Sequence, residues 1–149
     1  MQSHDSEWRA LLDTVLINVT SFFRDREAWD YLASEIVPQI IASKQPDEPI
    51  RVWSAGCASG QEVYSLLILF AEALGIESCL QRVQLYATDV DKVALQQARQ
   101  GVYRANEVKG LAPDLLKKYF EPTEQGYAFD RRLRRRVICG CNNLAEDAP

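Results

Sequence analysis

Residues Ile50-Arg51-Val52-Trp53-Ser54 read as a strand, and Ala55-Gly56-Cys57-Ala58-Ser59-Gly60 as a tight turn. Glu62 to Leu74 follows as a helix, apolar at Val63, Leu66, Leu67, Phe70, Ala71 and Leu74 and stopped by Gly75. Val83-Gln84-Leu85-Tyr86-Ala87 is the next strand, ending at Thr88-Asp89-Val90-Asp91. Strand, glycine-rich turn, helix and strand make one βαβ unit, which fixes a parallel sheet and the α/β class. A helix from about Lys92 to Gln100 closes at Gly101 and extends the same pattern.

Upstream, Trp8, Leu11, Leu12, Val15, Leu16 and Val19 carry the spacing of an amphipathic helix. Residues 18–25 interrupt it and end at Asp25, read as the cap of a second helix from about Arg26 to Ser43, with Pro38 kinking it or starting a new turn. Lys44 to Pro49 is a loop by its prolines and charge. Downstream, Val102-Tyr103-Arg104 is a connector, and Pro113 opens a helix that runs to Tyr119. Gly126 to Cys139 is expected to form a small hairpin, with Val137 to Cys141 crossing back into the main sheet.

At 149 residues, 47% of them hydrophobic, the chain has the makings of one globular domain. No apolar run reaches the ~18 to 20 residues of a membrane span, and the N-terminus lacks the basic-then-apolar profile of a secretory signal, so a cytoplasmic location without membrane insertion is expected. A net charge of -4 argues against a general nucleic-acid coat, although Arg131, Arg132, Arg134, Arg135 and Arg136 form a local basic run. The only histidine is His4, in the polar leader. Serine-histidine triads, cysteine-histidine pairs and histidine-bearing zinc helices therefore cannot be assembled. Cys57, Cys79, Cys139 and Cys141 have no second ligand pair at metal spacing, and no metal site is expected.

Gly56 and Gly60, between a strand and a helix, would let backbone amides approach a ligand at the positive end of that helix. The spacing is G-x-x-x-G with Ala58 at the middle position, unlike the dinucleotide fingerprint, and a plain tight turn is the alternative. Asp89 ends a strand where α/β sheets place an acid to accept from ribose hydroxyls, or it caps locally; Asp91 is the N-cap of the next helix. Glu62 either answers the helix dipole or holds an ammonium group above the turn.

Residues 18–24 (Asn-Val-Thr-Ser-Phe-Phe-Arg), 52–65 (Val-Trp-Ser-Ala-Gly-Cys-Ala-Ser-Gly-Gln-Glu-Val-Tyr-Ser), 87–91 (Ala-Thr-Asp-Val-Asp) and Asn143-Leu144 resemble, in order, the motifs of the CheR-type chemotaxis-receptor methyltransferases. The resemblance implies S-adenosyl-L-methionine (SAM) as cofactor and an incomplete class I, Rossmann-like parallel sheet, with a short N-terminal helical segment and a small β-hairpin insertion. It divides the chain into the end of a helical region and linker at 1–24 and a partial methyltransferase domain at 25–149, with the hairpin at about 120–137. The implied partners are the cytoplasmic helices of methyl-accepting receptors, whose glutamate side chains take the methyl group.

By the same resemblance Asn18, Thr20 and Arg24 line the cofactor pocket, with Arg24 near the methionine carboxylate or the reacting centre and so the catalytic candidate. Glu62 pairs with the methionine ammonium, Asp89 with the ribose, and Asn143 and Leu144 border the adenine. Plain capping by Asn18 and Thr20, and a turn at Asn143, are the structural alternatives. Gln61 stands where the family commonly has an acid. The family also continues past the Asn-Leu pair with a core strand that neighbours Ile50 to Ser54, an Arg-Asn pair and a tyrosine. A Rossmann dehydrogenase and a non-catalytic SAM-binding or receptor-docking module are the rival readings. For the arginine run, a solvated structural turn competes with a docking surface for acidic receptor helices.

Overall fold

A computed structural model describes residues 20–147; the expected helix over Trp8 to Val19 and the candidate Asn18 lie outside the described residues. The N-terminal part of the fold is one helical rod in three pieces: α1 (Arg26–Tyr31), a π-helical turn (Leu32–Ile36) and α2 (Val37–Ala42). The π-helical turn ends at Ile36, two residues before Pro38. Proline has no N–H to give and its ring crowds the carbonyl four residues back, so a widened turn there carries the helix past it without a break. Asp25 sits at the N-terminus as the sequence predicts, but it does not cap with its side chain. Its backbone is left-handed (φ 60°), and its carbonyl accepts from the amides of Ala28 at 2.9 Å and Trp29 at 3.2 Å.

The main sheet has the order β1-β2-β6, with β1 (Ile50–Ala55), β2 (Val83–Asp89) and β6 (Val137–Cys141) all parallel. Between β1 and β2 run α3 (Gln61–Leu74) and α4 (Ile76–Arg82); α5 (Lys92–Gln100) follows β2. α4 was missed by sequence periodicity because its seven residues, starting directly after Gly75, are too few to establish a helical pattern. α5 begins where Asp91 accepts from the amides of Val93 and Ala94, and ends at Gly101 in the left-handed conformation.

Alternation along the strands gives the sheet two unlike faces. Ile50, Val83, Leu85 and Ala87 are buried beside Val63, Leu67 and Phe70 of α3 and Cys79 of α4, which places the core on one face. On the other face Trp53, Tyr86 and Ile138 lie opposite one another in register across all three strands and are 46%, 37% and 52% exposed.

A second sheet, antiparallel with the order β3-β5-β4, is made by β3 (Val102–Tyr103), β4 (Phe120–Thr123) and β5 (Gly126–Phe129), with α6 (Pro113–Tyr119) leading into β4. Val102-Tyr103, read as a connector, is thus its third strand. The hairpin is β4–β5, and it ends before the basic run. Arg131 to Arg134 form a single helical turn, α7, capped by Asp130, and the chain then enters β6. The arginines therefore lie outside the hairpin in which they were expected, because Asp130 accepts from the amides of Arg132 and Leu133 and turns the backbone helical.

Candidate functional site

The carboxyl ends of β1 and β2 meet at residues 56–60. The amides of Gly56 and Cys57 both donate to the Thr88 carbonyl, at 2.8 and 2.9 Å, and that of Gly60 donates to the Cys57 carbonyl at 3.0 Å. Ala58 takes up left-handed backbone (φ 49°), and its amide donates to Oδ2 of Asp89 at 2.9 Å. These amides are thus engaged inside the fold rather than aimed outward as the glycine pattern led one to expect. What the glycines supply is conformation and proximity. Gly56 has φ 71° with open space where a Cβ would stand, and Gly60 has φ 100° with a Cβ position only 2.8 Å from the Tyr103 hydroxyl.

Two carboxylates stand over this turn, each held by a neighbour. Oε1 of Glu62, in the first turn of α3, accepts from the Ser54 hydroxyl at 2.8 Å; Ser54 is 2% exposed, whereas Glu62 is exposed. Asp89 accepts the Ala58 amide on Oδ2 and the Asp91 amide on Oδ1 (2.9 Å), so it is a local organiser whatever else it binds. Each oxygen retains a lone pair for a further donor. Beneath them the Cys57 thiol is pushed up to about 12, first by burial and then by Cys139 and the two carboxylates; it is inert at neutral pH.

Thr20 borders a polar cleft of about 520 Å³ together with Ser59, Gln61, Asp91 and Gln97. Arg24 is exposed and lies between Phe23 and Asp25, both left-handed (φ 51° and 60°). The Phe23 amide donates to the buried Ser65 hydroxyl at 3.1 Å, which itself donates to the Gln61 carbonyl at 2.7 Å, so the Arg24 segment is tied to the start of α3. Asp89 pairs in register with Cys141, and the Asn142 amide donates to the Asp89 carbonyl. This brings the chain leading to Asn143 and Leu144 beside the acid. Asn143 builds a turn, with Oδ1 accepting from Ala145 at 3.0 Å and its amide donating to Asp147, and Leu144 is exposed.

The fold thus gathers Gly56, Glu62, Asp89 and the approach to Asn143 and Leu144 at one end of the sheet, with Thr20 on the adjoining cleft. Ser54 and Ser65, which hold Glu62 and the Arg24 segment, were not picked out from the sequence: a serine in a strand or a helix carries no periodic signal, and its partners are eight and forty-two residues away. Among the described residues no single helix is long and apolar enough to cross a membrane.

Residues 18–149 match the family model described as CheR methyltransferase, SAM binding domain. The chain is 35% identical over 117 residues to a chemotaxis protein methyltransferase of Salmonella typhimurium, covering 78% of this chain and 38% of that protein. It is 33% identical over 144 residues to chemotaxis protein methyltransferase 2 of Vibrio cholerae, covering 96% and 49%. An uncharacterized 104.1 kDa protein of Rhodobacter capsulatus is 30% identical over 148 residues, 99% of this chain and 16% of that protein. The chain spans half or less of the length of these relatives. It belongs to the CheR methyltransferase family and carries its SAM-binding domain.

Proposed function

We propose that this chain binds SAM at the carboxyl ends of β1 and β2 and serves methyl transfer to glutamate carboxylates of methyl-accepting chemoreceptors in the cytoplasm. The observation that carries the reading is the convergence of Gly56, open where a Cβ would stand, with two carboxylates whose oxygens keep acceptor capacity, at the edge where parallel sheets hold their ligands. That set of acceptors fits the cofactor's ammonium and ribose hydroxyl donors. Glu62 takes the methionine ammonium, Asp89 the ribose hydroxyls, and the segment with Asn143 and Leu144 borders the adenine. Asn18, Thr20 and Arg24 line the pocket, Arg24 nearest the methionine carboxylate or the reacting centre. Residues 25–149 act as the binding domain, and residues 1–24 as the end of a helical region and linker.

When bound, SAM supplies an electrophilic methyl group on a sulfonium. A glutamate acceptor is already ionised near neutral pH, so the protein has no proton to remove and its contribution is alignment and exclusion of water. A chain whose only histidine is His4 is suited to such a reaction. For the receptor, the basic run is the docking element we favour, in a restricted form. Arg132 pairs with Glu77 at 3.0 Å, Arg134 bonds the Gln100 carbonyl, and Arg136 bonds the Val83 carbonyl at 2.8 Å. Arg131 and Arg135, both exposed, are the charges best placed to steer an acidic helix. Calorimetry with SAM, S-adenosylhomocysteine and NAD tests the cofactor reading: the adenosyl-sulfur ligands bind and NAD does not, and equal affinity for NAD would refute it.

A further inference from the structure

We infer that Ser54 is a positioning residue for the ligand's amino group, acting only through Glu62; the inference rests on the proposed role of Glu62 as the ammonium site. Ser54 is the penultimate residue of β1, 2% exposed, and its hydroxyl donates to Oε1 of Glu62 at 2.8 Å. Glu62 itself is exposed, in the first turn of a helix, where an untethered glutamate would exchange among rotamers in water. The bond fixes one carboxylate oxygen against a buried strand and leaves the acceptor capacity of Oε2 for a ligand. A charge aimed before the ligand arrives spares the ordering of a flexible side chain on binding, and support of this kind distinguishes a working site from a loose one.

The geometry also explains why the anchor is a serine. Ala55 follows it with its side chain on the exposed face, and Ile50 and Val52 precede it on the core-facing side. A hydroxyl at this position is a polar atom on the apolar side of the sheet, and Glu62 is its hydrogen-bond acceptor. A buried hydroxyl without a partner is costly, so strand and helix start hold each other.

The test measures the affinity of the full chain for S-adenosylhomocysteine and for its desamino analogue, which lacks only the amino group, in wild type, Ser54→Ala, Glu62→Gln and the double variant. Ser54→Ala is expected to weaken S-adenosylhomocysteine about three- to tenfold while leaving the desamino analogue unchanged, and to have no further effect once Glu62→Gln is present. Ser54→Cys, which keeps the shape of the side chain with a somewhat larger and only weakly donating thiol, is expected to give the same selective loss and serves if the alanine variant folds poorly. Equal weakening of both ligands, or an undiminished effect of Ser54→Ala in the Glu62→Gln background, would show Ser54 to be merely structural and overturn the inference. If Glu62→Gln lowers the preference for the amino ligand and the Ser54 variants do not, the Ser54 inference fails alone. If Glu62→Gln leaves that preference intact, the ammonium reading fails and takes the inference with it.

Discussion

The small antiparallel sheet and the carboxyl end of the parallel sheet are held together by opposite means. In the first, aromatic rings close on one another: Phe129 meets Tyr64 at 4.4 Å, Phe120 at 5.2 Å and Tyr119 at 6.4 Å between centroids, and Phe22 meets Tyr103 at 4.9 Å. In the second, individual hydrogen bonds hold left-handed backbone, the exposed Glu62 and the half-buried Asp89. Among the described residues the non-glycine positions with left-handed backbone are Phe23, Asp25 and Ala58. They flank Arg24 or rest on Asp89. Strain of this kind persists only where the surroundings over-determine it, and here the aromatic region supplies that rigidity through Phe22, one residue from Phe23.

The largest effect should come from breaking the rigid side. Phe129→Ala removes a buried ring with several ring partners and is expected to cost about 3 to 5 kcal/mol in thermal or denaturant unfolding. A loss below about 1 kcal/mol would mean that the rings do not carry the fold. Next, Asp89→Ala removes the acceptor for both the Ala58 and Asp91 amides as well as the proposed ribose partner. It should weaken S-adenosylhomocysteine binding by about 1 to 3 kcal/mol and lower the melting temperature at the same time. Unchanged binding would remove Asp89 from the site.

A smaller change tests whether the strain is real. Ala58→Gly exchanges about 1 to 2 kcal/mol of left-handed cost for roughly 0.5 to 1 kcal/mol of added backbone entropy, so a net stabilisation of about 0.5 to 1 kcal/mol is expected in unfolding. Destabilisation would place Ala58 among residues kept for their side chain. The smallest effect on stability belongs to Arg131→Ser with Arg135→Ser, exposed positions where the change should stay within about 0.5 kcal/mol. If the proposed docking role holds, the same pair should flatten the salt dependence of receptor association; untouched association and salt dependence would rule that proposal out.

Much of the frame was legible because its signals are local. Asp91 and Gly101 bracket α5, and Pro113 opens α6. The βαβ unit declared itself through periodicity on either side of a glycine turn. The candidate site was proposed from residue types in a known order, and the contacts that hold those residues were not legible. Nothing in a run of five arginines tells which guanidinium finds a carbonyl fifty-three positions away, as Arg136 finds Val83. Propensity speaks against a phenylalanine at φ 51°, and only the Ser65 hydroxyl and the ring contact with Trp29 explain it. The turn amides looked available because the sequence does not show that the Thr88 carbonyl accepts two of them.

The indole N–H of Trp53 donates to the Thr88 hydroxyl at 2.8 Å, across from one strand to the next and one residue short of Asp89. Of the chain's three tryptophans, Trp8 lies outside the described residues, Trp29 is buried and Trp53 is half-exposed, so between the latter two Trp53 has the more red-shifted emission and is the more open to quenchers in the medium. The chain thereby contains an optical gauge seated under the carboxyl edge of its parallel sheet: whatever displaces Thr88 and Asp89, or lets β1 part from β2, registers as a change in the colour and quenching of Trp53.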